Sequence, residues 1–319
     1  MIVAITGGTG FIGRRLIARH RARGDHVRYL TRNPSVTGVD GATLFLGNLA
    51  YPDEQLRKFA RGADVLYHCA AELHRALEMH STNVRGTANL IDAAGGEVGR
   101  WVQLSSTGVY GMNVRGARGD IDENSAIDPR NPYETSKAAS DNVLREAAAR
   151  QHFSYVVVQP SNVYGWDMPN QSLFQMIKVI DKGLFFFIGS SGAMANYVHV
   201  DNVIDALSLC GTANLAGNGR TYIVSDHRKL DELVSIIASA LGKAPPTLRL
   251  PESLVRAACM IAGRIRSFPL SPSRVDALTS GVIYRSHRIR SELGFENNIS
   301  MEAGIGELVR YVKNRMIGA

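Results

Sequence analysis

Short β-branched runs alternate with stretches of helical pattern from the second residue onward. Residues 2–6 read as a strand and 11–23 as a helix that Gly24 ends. Further strands are expected at 27–31, 64–69, 101–105 and 155–159, and helices at 54–60, 79–94 and 132–150. Strand–helix alternation at this spacing predicts a parallel sheet covered by helices on both faces. With right-handed crossovers, the economical arrangement is an α/β doubly wound parallel sheet. Beyond residue 160 the regularity fades. Pro and Gly punctuate 162–192, and Pro245, Pro246, Pro251, Pro269 and Pro272 break up the tail. The expected organisation is a first domain over 1–162, rejoined by 196–226, with a smaller lobe formed by 163–195 and 227–319. No internal repeat or low-complexity tract is visible.

Composition narrows the classes. A chain of 319 residues, 45% hydrophobic and 20% charged, has the make-up of an ordinary globular protein rather than a disordered one. No run approaches the roughly 20 apolar residues of a membrane span. The longest, 254–265, is broken by Arg256 and Arg264 and reads as an amphipathic surface helix in preference to a membrane contact. The net charge of +7 suits anionic ligands, but Lys and Arg are scattered, which argues against nucleic acid. Cys69, Cys210 and Cys259 lie far apart without CxxC pairing, so neither a metal site nor a disulfide framework is expected. The first strand starts at residue 2, leaving no room for a signal segment; a cytoplasmic protein is expected.

The first candidate chemistry lies at 6–13, Thr-Gly-Gly-Thr-Gly-Phe-Ile-Gly, between the first strand and the first helix. Glycine here serves a tight turn, close approach of a pyrophosphate and close helix–strand packing. The helix N-terminus offers free N–H groups and a positive dipole end to phosphates. This predicts a dinucleotide. The second strand ends Tyr29-Leu30-Thr31-Arg32 without the carboxylate that would bind a ribose 2′-hydroxyl and repel a 2′-phosphate. Arg32 suits a phosphate instead, so NADP is favoured over NAD.

Tyr133 and Lys137 lie four apart at a helix start behind Pro132, on one helical face. A phenol is a poor base at neutral pH, and a neighbouring ammonium and a cationic nicotinamide both favour its phenolate. The strand before it ends in Ser105-Ser106-Thr107, at the carboxyl edge where open α/β sheets bind ligands. A hydroxyl there can hold a substrate oxygen while Tyr133 exchanges its proton.

With these pieces in place the chain resembles the extended short-chain dehydrogenases/reductases, in the NAD-dependent epimerase/dehydratase branch. The matching segments are TGGTGFIG at the start, HCAAE at 68–72, NVRGTANL at 83–90, SSTGVYG at 105–111, YETSK at 133–137 and YVHVDNV at 197–203, with weaker matches in TYIVSD and SHRIRSELGF. The resemblance implies that Tyr133 transfers the proton, that Lys137 also holds the nicotinamide ribose, and that Ser106 is the catalytic hydroxyl. It places Gly7, Gly10 and Gly13, with Phe11 and Ile12 between them, at the pyrophosphate. It puts Ala70 and Ala71 at the strand end beside the cofactor, Asn48 and Leu49 against adenine, Asn83 on the cofactor side and Asn162 at the substrate diphosphate. His199 and Asp201 belong to a motif read as structural. A homodimer is implied, packed through the helix bearing Tyr133 and the helix after Asn83.

Sugar-nucleotide dehydratases of this branch carry an Asp-Glu pair directly after the catalytic hydroxyl; here Thr107 and Gly108 stand there. Water elimination is therefore not expected, which leaves 4-epimerisation or ketone reduction at a nucleotide sugar. The arginine that often precedes YVHV is absent, since Ala195 and Asn196 occupy its place; Arg274 or Arg288 could supply the charge. Relatives with the same motif act on steroids or other hydrophobic alcohols, and 184–188 (Leu-Phe-Phe-Phe-Ile) could line an apolar pocket, although a buried strand anchoring the lobe is the simpler reading. A non-catalytic dinucleotide-binding regulator ranks last, because Tyr133 and Lys137 are both present.

Overall fold

The computed structural model describes residues 1–35, 38–39, 41–112, 114–151, 153–213, 219–262 and 270–317. Its central sheet has seven parallel strands in the order Arg220–Val224, Ser154–Pro160, Arg100–Leu104, Val65–His68, Ile2–Thr6, His26–Thr31 and Ala42–Leu46. The chain moves outward from Ile2–Thr6 through two strands on one side, then returns to Val65–His68 on the other. The winding reverses between those two strands, and their carboxyl ends open the crevice in which such sheets bind ligands.

Period-two alternation sends successive side chains of each strand to opposite faces. Val3, Ile5, Tyr29 and Tyr67 pack on one face against Leu16 and Ile17 of helix Gly13–Ala22 and against Val203 and Leu207 of helix Val200–Thr212. Ala4, Leu66 and Trp101 turn to the other, where helices Glu54–Ala60, Gly86–Ala94 and Pro132–Gln151 contribute Leu56, Leu90 and Leu144. The helix expected over 79–94 contains a π-turn, His80–Arg85, whose extra residue places Asn83 inward. Wide turns of this kind occur preferentially at functional sites.

In the second half, strands Asn162–Tyr164, Met194–His199 and Asp226–Lys229 form a small mixed sheet. Helices Ser172–Asp181, Leu230–Leu241 and Met301–Ile317 close a second core around Ile177, Ile237 and Leu308. Phe187–Ile188 is a buried two-residue strand paired with Arg249–Leu250 and anchors this stretch in the lobe, whereas Leu184 is exposed. Helix Val200–Thr212 packs on the seven-stranded sheet and strand Arg220–Val224 pairs within it, whereas 196–199 belong to the small sheet. Ile289 and Phe295, expected with the lobe, also pack against the main sheet. Of the apolar run 254–265, helix Glu252–Ala262 covers the first part, and 263–265 lie outside the described residues, as does Pro269. Among the described residues no helix is long and apolar enough to cross a membrane.

Candidate active site

The glycine loop is shaped by backbone crowding. Gly7 has φ of 67°, and a Cβ there would meet the Ala70 backbone N at 2.8 Å. Gly13 is tighter: its Cβ would fall 2.2 Å from the Gly7 carbonyl oxygen. The loop closes through Gly10 N–H donating to the Gly7 carbonyl at 2.9 Å. No side chain caps helix Gly13–Ala22 and no acidic residue lies in its first turn, leaving its N-terminal dipole to an anion. These residues fit a dinucleotide pyrophosphate.

Helix Pro132–Gln151 sets the second half of the site. Asn131 caps it by accepting from Glu134 N–H at 3.0 Å, while the Glu134 carboxylate accepts from Arg130 N–H at 2.8 Å, a reciprocal cap with Pro132 at the first helical position. At the second helical position, Tyr133 meets Ser106 in a hydrogen bond. Burial raises the Tyr133 phenol, and that bond opposes the rise. Lys137 is 4% exposed and donates its Nζ to the Leu104 carbonyl. Burial lowers its ammonium, opposed by the charge of Asp141 and by Cys69. Ser106 accepts from Gly108 N–H at 3.0 Å, which turns the chain immediately after the strand.

Beneath this triad runs a buried polar chain. Thr6 Oγ1 and His68 Nδ1 are 2.7 Å apart, His68 Nε2 and Thr87 Oγ1 3.0 Å, and Thr87 Oγ1 and Ser140 Oγ 2.8 Å. Gln103 donates to Ser140 at 2.8 Å and accepts from Trp101 Nε1 at 2.9 Å. Burial pushes His68 down to about 3, helped by the nearby Lys137 charge, so the imidazole is neutral. Asp141, one turn after Lys137, accepts from Ser105 Oγ at 2.5 Å; burial raises its carboxyl, opposed by Lys137.

Asn83 spends its side chain on fixing neighbours. Its Oδ1 accepts from Glu72 N–H at 2.7 Å, and its Nδ2 donates to the Glu72 carbonyl and to Ser136 Oγ at 3.0 and 2.9 Å. It thereby registers the segment holding Ala70 and Ala71 against the Tyr133 helix. Leu49 is buried against Gly86, and Asn48 accepts from Ala50 N–H. Asn162 is exposed and donates to the Asn196 carbonyl. Asn196 is itself committed, donating to the Val282 carbonyl at 2.8 Å and accepting from Tyr284 N–H at 3.2 Å. Arg288 faces Asn124 and Glu123. At the dehydratase positions, Thr107 bonds with Tyr284, and a Cβ on Gly108 would press on Glu134 Cγ at 3.1 Å.

Glu72 and Arg75 were not singled out from the sequence. Glu72, at the end of HCAAE, is 6% exposed. Burial would raise its carboxyl, but bonds from His74 N–H and Arg75 hold it down at about 2. Arg32 reaches it at 3.5 Å, whereas Arg75 binds the same oxygen through Nη2 at 2.7 Å and Nε at 3.2 Å. Among the described residues, no group of three or more His, Cys, Asp or Glu could hold a metal.

A glycine loop at the reversal point of a parallel sheet, facing a Ser–Tyr–Lys group, defines a dinucleotide-binding oxidoreductase class. The family model for the NAD dependent epimerase/dehydratase family matches residues 3–225, and the chain belongs to that family. It is 27% identical to the 3beta-hydroxysteroid-dehydrogenase/decarboxylase isoform 1 of Arabidopsis thaliana, over 94% of this chain and 77% of the relative. It is 27% identical to a 4-hydroxy-2-methyl-3-oxo-4-farnesyl-3,4-dihydroquinoline-1-oxide ketoreductase of Stigmatella aurantiaca (95% and 94% covered). Sterol demethylase protein B of Methylococcus capsulatus is 28% identical, with 99% of each chain covered. Similar solved folds include the UDP-glucose 4-epimerase of Thermotoga maritima, with TM-score 0.75, 20% identity and 99% and 100% coverage. The NAD complex of UDP-glucuronic acid 4-epimerase from Bacillus cereus has TM-score 0.76, 16% identity and 99% coverage of each chain.

Proposed function

We propose that this protein is an NADP-preferring dehydrogenase or ketoreductase that interconverts a secondary alcohol and a ketone on a largely apolar molecule. The observation that carries the reading is the commitment of the polar groups around the substrate positions. Asn196 stands where an arginine often meets a diphosphate, and its side chain is spent on the backbone of 282 and 284. Arg288 faces Glu123 and Asn124. Relatives named for sterols and for a farnesylated quinoline, each matched over more than nine tenths of this chain, support the same substrate class. The nucleotide-sugar expectation has support from fold alone.

Bound nicotinamide supplies the hydride donor or acceptor. Ser106 holds the substrate oxygen, Tyr133 moves the proton at that oxygen, and Lys137, one helical turn further on, supplies the positive charge of the group. The dehydratase positions lack the acid and base for water loss, so the reaction stops at the carbonyl–alcohol pair. The test is a thermal-shift and turnover panel with NADP(H), in which 3-hydroxysterols, isoprenoid ketones and UDP-, GDP- and dTDP-sugars are compared. Turnover of a sterol or isoprenoid ligand is expected. A shift with one sugar nucleotide and none with the apolar ligands overturns the reading.

The cofactor preference rests on Arg32. Arg75 already meets the Glu72 charge, which leaves the half-exposed Arg32 guanidinium free to turn towards a 2′-phosphate. Arg32→Ala is expected to weaken NADP binding by about 10–100-fold, the worth of a charged hydrogen bond, and to leave NAD nearly unchanged. Titration of the wild type checks the premise: tighter binding of NAD than of NADP rejects it. The homodimer also stays part of this proposal. The outward residues Arg85, Asp92, Asn142 and Glu146 on the two helices would make its interface polar.

A further inference from the structure

Lys137 carries its charge in a costly place. Its side chain is buried, and its Nζ donates to the Leu104 carbonyl, a neutral acceptor. A buried ammonium sheds its proton unless an opposite charge lies close by. A neutral amine here would leave Tyr133 without the cation that favours its ionised form.

Three titratable groups interact with the Lys137 charge: Cys69, His68 and Asp141. Burial pushes the Cys69 thiol up to about 12 and the His68 imidazole down to about 3, so both are neutral at neutral pH. Asp141 remains. It follows Lys137 by four on the same helix and has no exposed surface. Burial raises its carboxyl; the Lys137 charge is the largest opposing influence, ahead of the bond from Ser105 Oγ at 2.5 Å and the charge of Arg145. Arg145 itself donates to Asn142, and the second oxygen of Asp141 has no hydrogen-bond partner among the described residues. The neighbouring strands add no competing charge. Gln159, on Ser154–Pro160, accepts from the Tyr110 hydroxyl at 2.7 Å, and burial raises that phenol. Gln103 meets Ser140 as amide and hydroxyl.

We propose that Asp141 is a positioning residue: its carboxylate is the counter-charge that keeps Lys137 an ammonium, and it serves Tyr133 through Lys137. This rests on the reading of Ser106, Tyr133 and Lys137 as the proton-transferring group of a dehydrogenase. Asp141 has two effects on the phenol, of opposite sign. Its own charge opposes ionisation of Tyr133 from eight residues away, about 12 Å of helical rise. Lys137 favours ionisation from four residues, about 6 Å, and Coulomb energy falls with distance. The ammonium therefore outweighs the carboxylate that preserves it.

The chain has seven lysines, few enough to follow singly by NMR of an isotope label at Cε. Loss of one signal in Lys137→Met identifies Lys137. The titration uses the full chain without substrate or dinucleotide. Wild type is expected to hold Lys137 as an ammonium at neutral pH, and Asp141→Asn to lower its midpoint by at least about one pH unit. Ser105→Ala keeps the carboxylate while deleting its hydrogen bond, and its midpoint should stay close to that of wild type. In turnover, the alkaline fall of alcohol oxidation should move down in Asp141→Asn by the same interval, about tenfold in rate per unit on that limb. A neutral Lys137 in wild type at neutral pH overturns the proposal whether or not the variant folds. Coincident midpoints in wild type and Asp141→Asn overturn it too. So does an equal displacement by Ser105→Ala, which would assign Asp141 to holding the strand end. A displaced midpoint without turnover of any apolar alcohol supports the counter-charge and faults the substrate reading alone.

Discussion

Tyr133→Phe is expected to lower kcat by about 10²–10⁴-fold, the usual worth of a positioned proton-transfer group. The phenol is hydrogen-bonded to Ser106, and Phe retains the ring while deleting the hydroxyl that carries the transferable proton. Dinucleotide binding, read as a thermal shift, should persist, because the glycine loop is untouched. The pH profile adds a sign. Alcohol oxidation needs the phenolate, so its rate falls as pH falls; ketone reduction needs the phenol, so its rate falls as pH rises. Burial raises the phenol, and a cationic nicotinamide acts against that rise. In the Phe variant both limbs should flatten. Wild-type turnover in that variant would remove Tyr133 from the chemistry.

The second large effect is acid lability centred on His68. Its ring is fully buried between Thr6 and Thr87 and stays neutral down to about pH 3, against 6.5 for the free side chain. As pH falls through 6.5 the unfolded chain takes up a proton that the folded chain refuses. Stability is therefore full above that value, is lost progressively below it, and levels off near the folded value. The loss attributable to this group is about 2 kcal/mol between about pH 7 and pH 5, and roughly 4–5 kcal/mol at the acid limit. Glu72, held at about 2, adds to the loss only below the ordinary carboxylate range. Denaturant unfolding at both pH values checks this. His68→Gln should be less stable at neutral pH yet show a slope shallower by that amount. An unchanged slope would show that protonation of His68 is not what destabilises the fold.

Legibility from sequence followed locality. Helix Glu54–Ala60 is marked by its own residues, with Asp53 accepting from Leu56 N–H at its start, and was expected with the same bounds. Strand Ala42–Leu46 was not expected. It is the sheet's edge, with Thr43, Leu44 and Leu46 exposed, and it lacks the buried apolar run that betrays its neighbours. The small sheet was equally hidden, since its strands at 162, 194 and 226 pair only across long intervals. The same division holds at the site. Tyr133 and Lys137 share one helix turn, and Ser106 ends an adjoining strand, so spacing suffices to group them. Asp141 follows Lys137 by four and carried the same helical signal, but a carboxylate in a helix ordinarily reads as solvated. Arg75 and Glu72 acquire meaning only when the fold carries Arg32 to them across the first strand.

Strand Arg220–Val224 pairs with Ser154–Pro160, yet some sixty residues separate them in the chain. During synthesis, then, Ser154–Pro160 emerges as an open edge and stays so while the whole of Asn162–Thr212 follows it from the ribosome. Parallel partners that arrive late are slow to pair, and an uncovered strand can template contacts with other chains. The seven-stranded sheet is thus finished by the second half of the polypeptide. A fragment stopping short of residue 224 would keep the glycine loop and the Tyr133 helix but expose the flank of the sheet that the nascent chain most needs to have shielded.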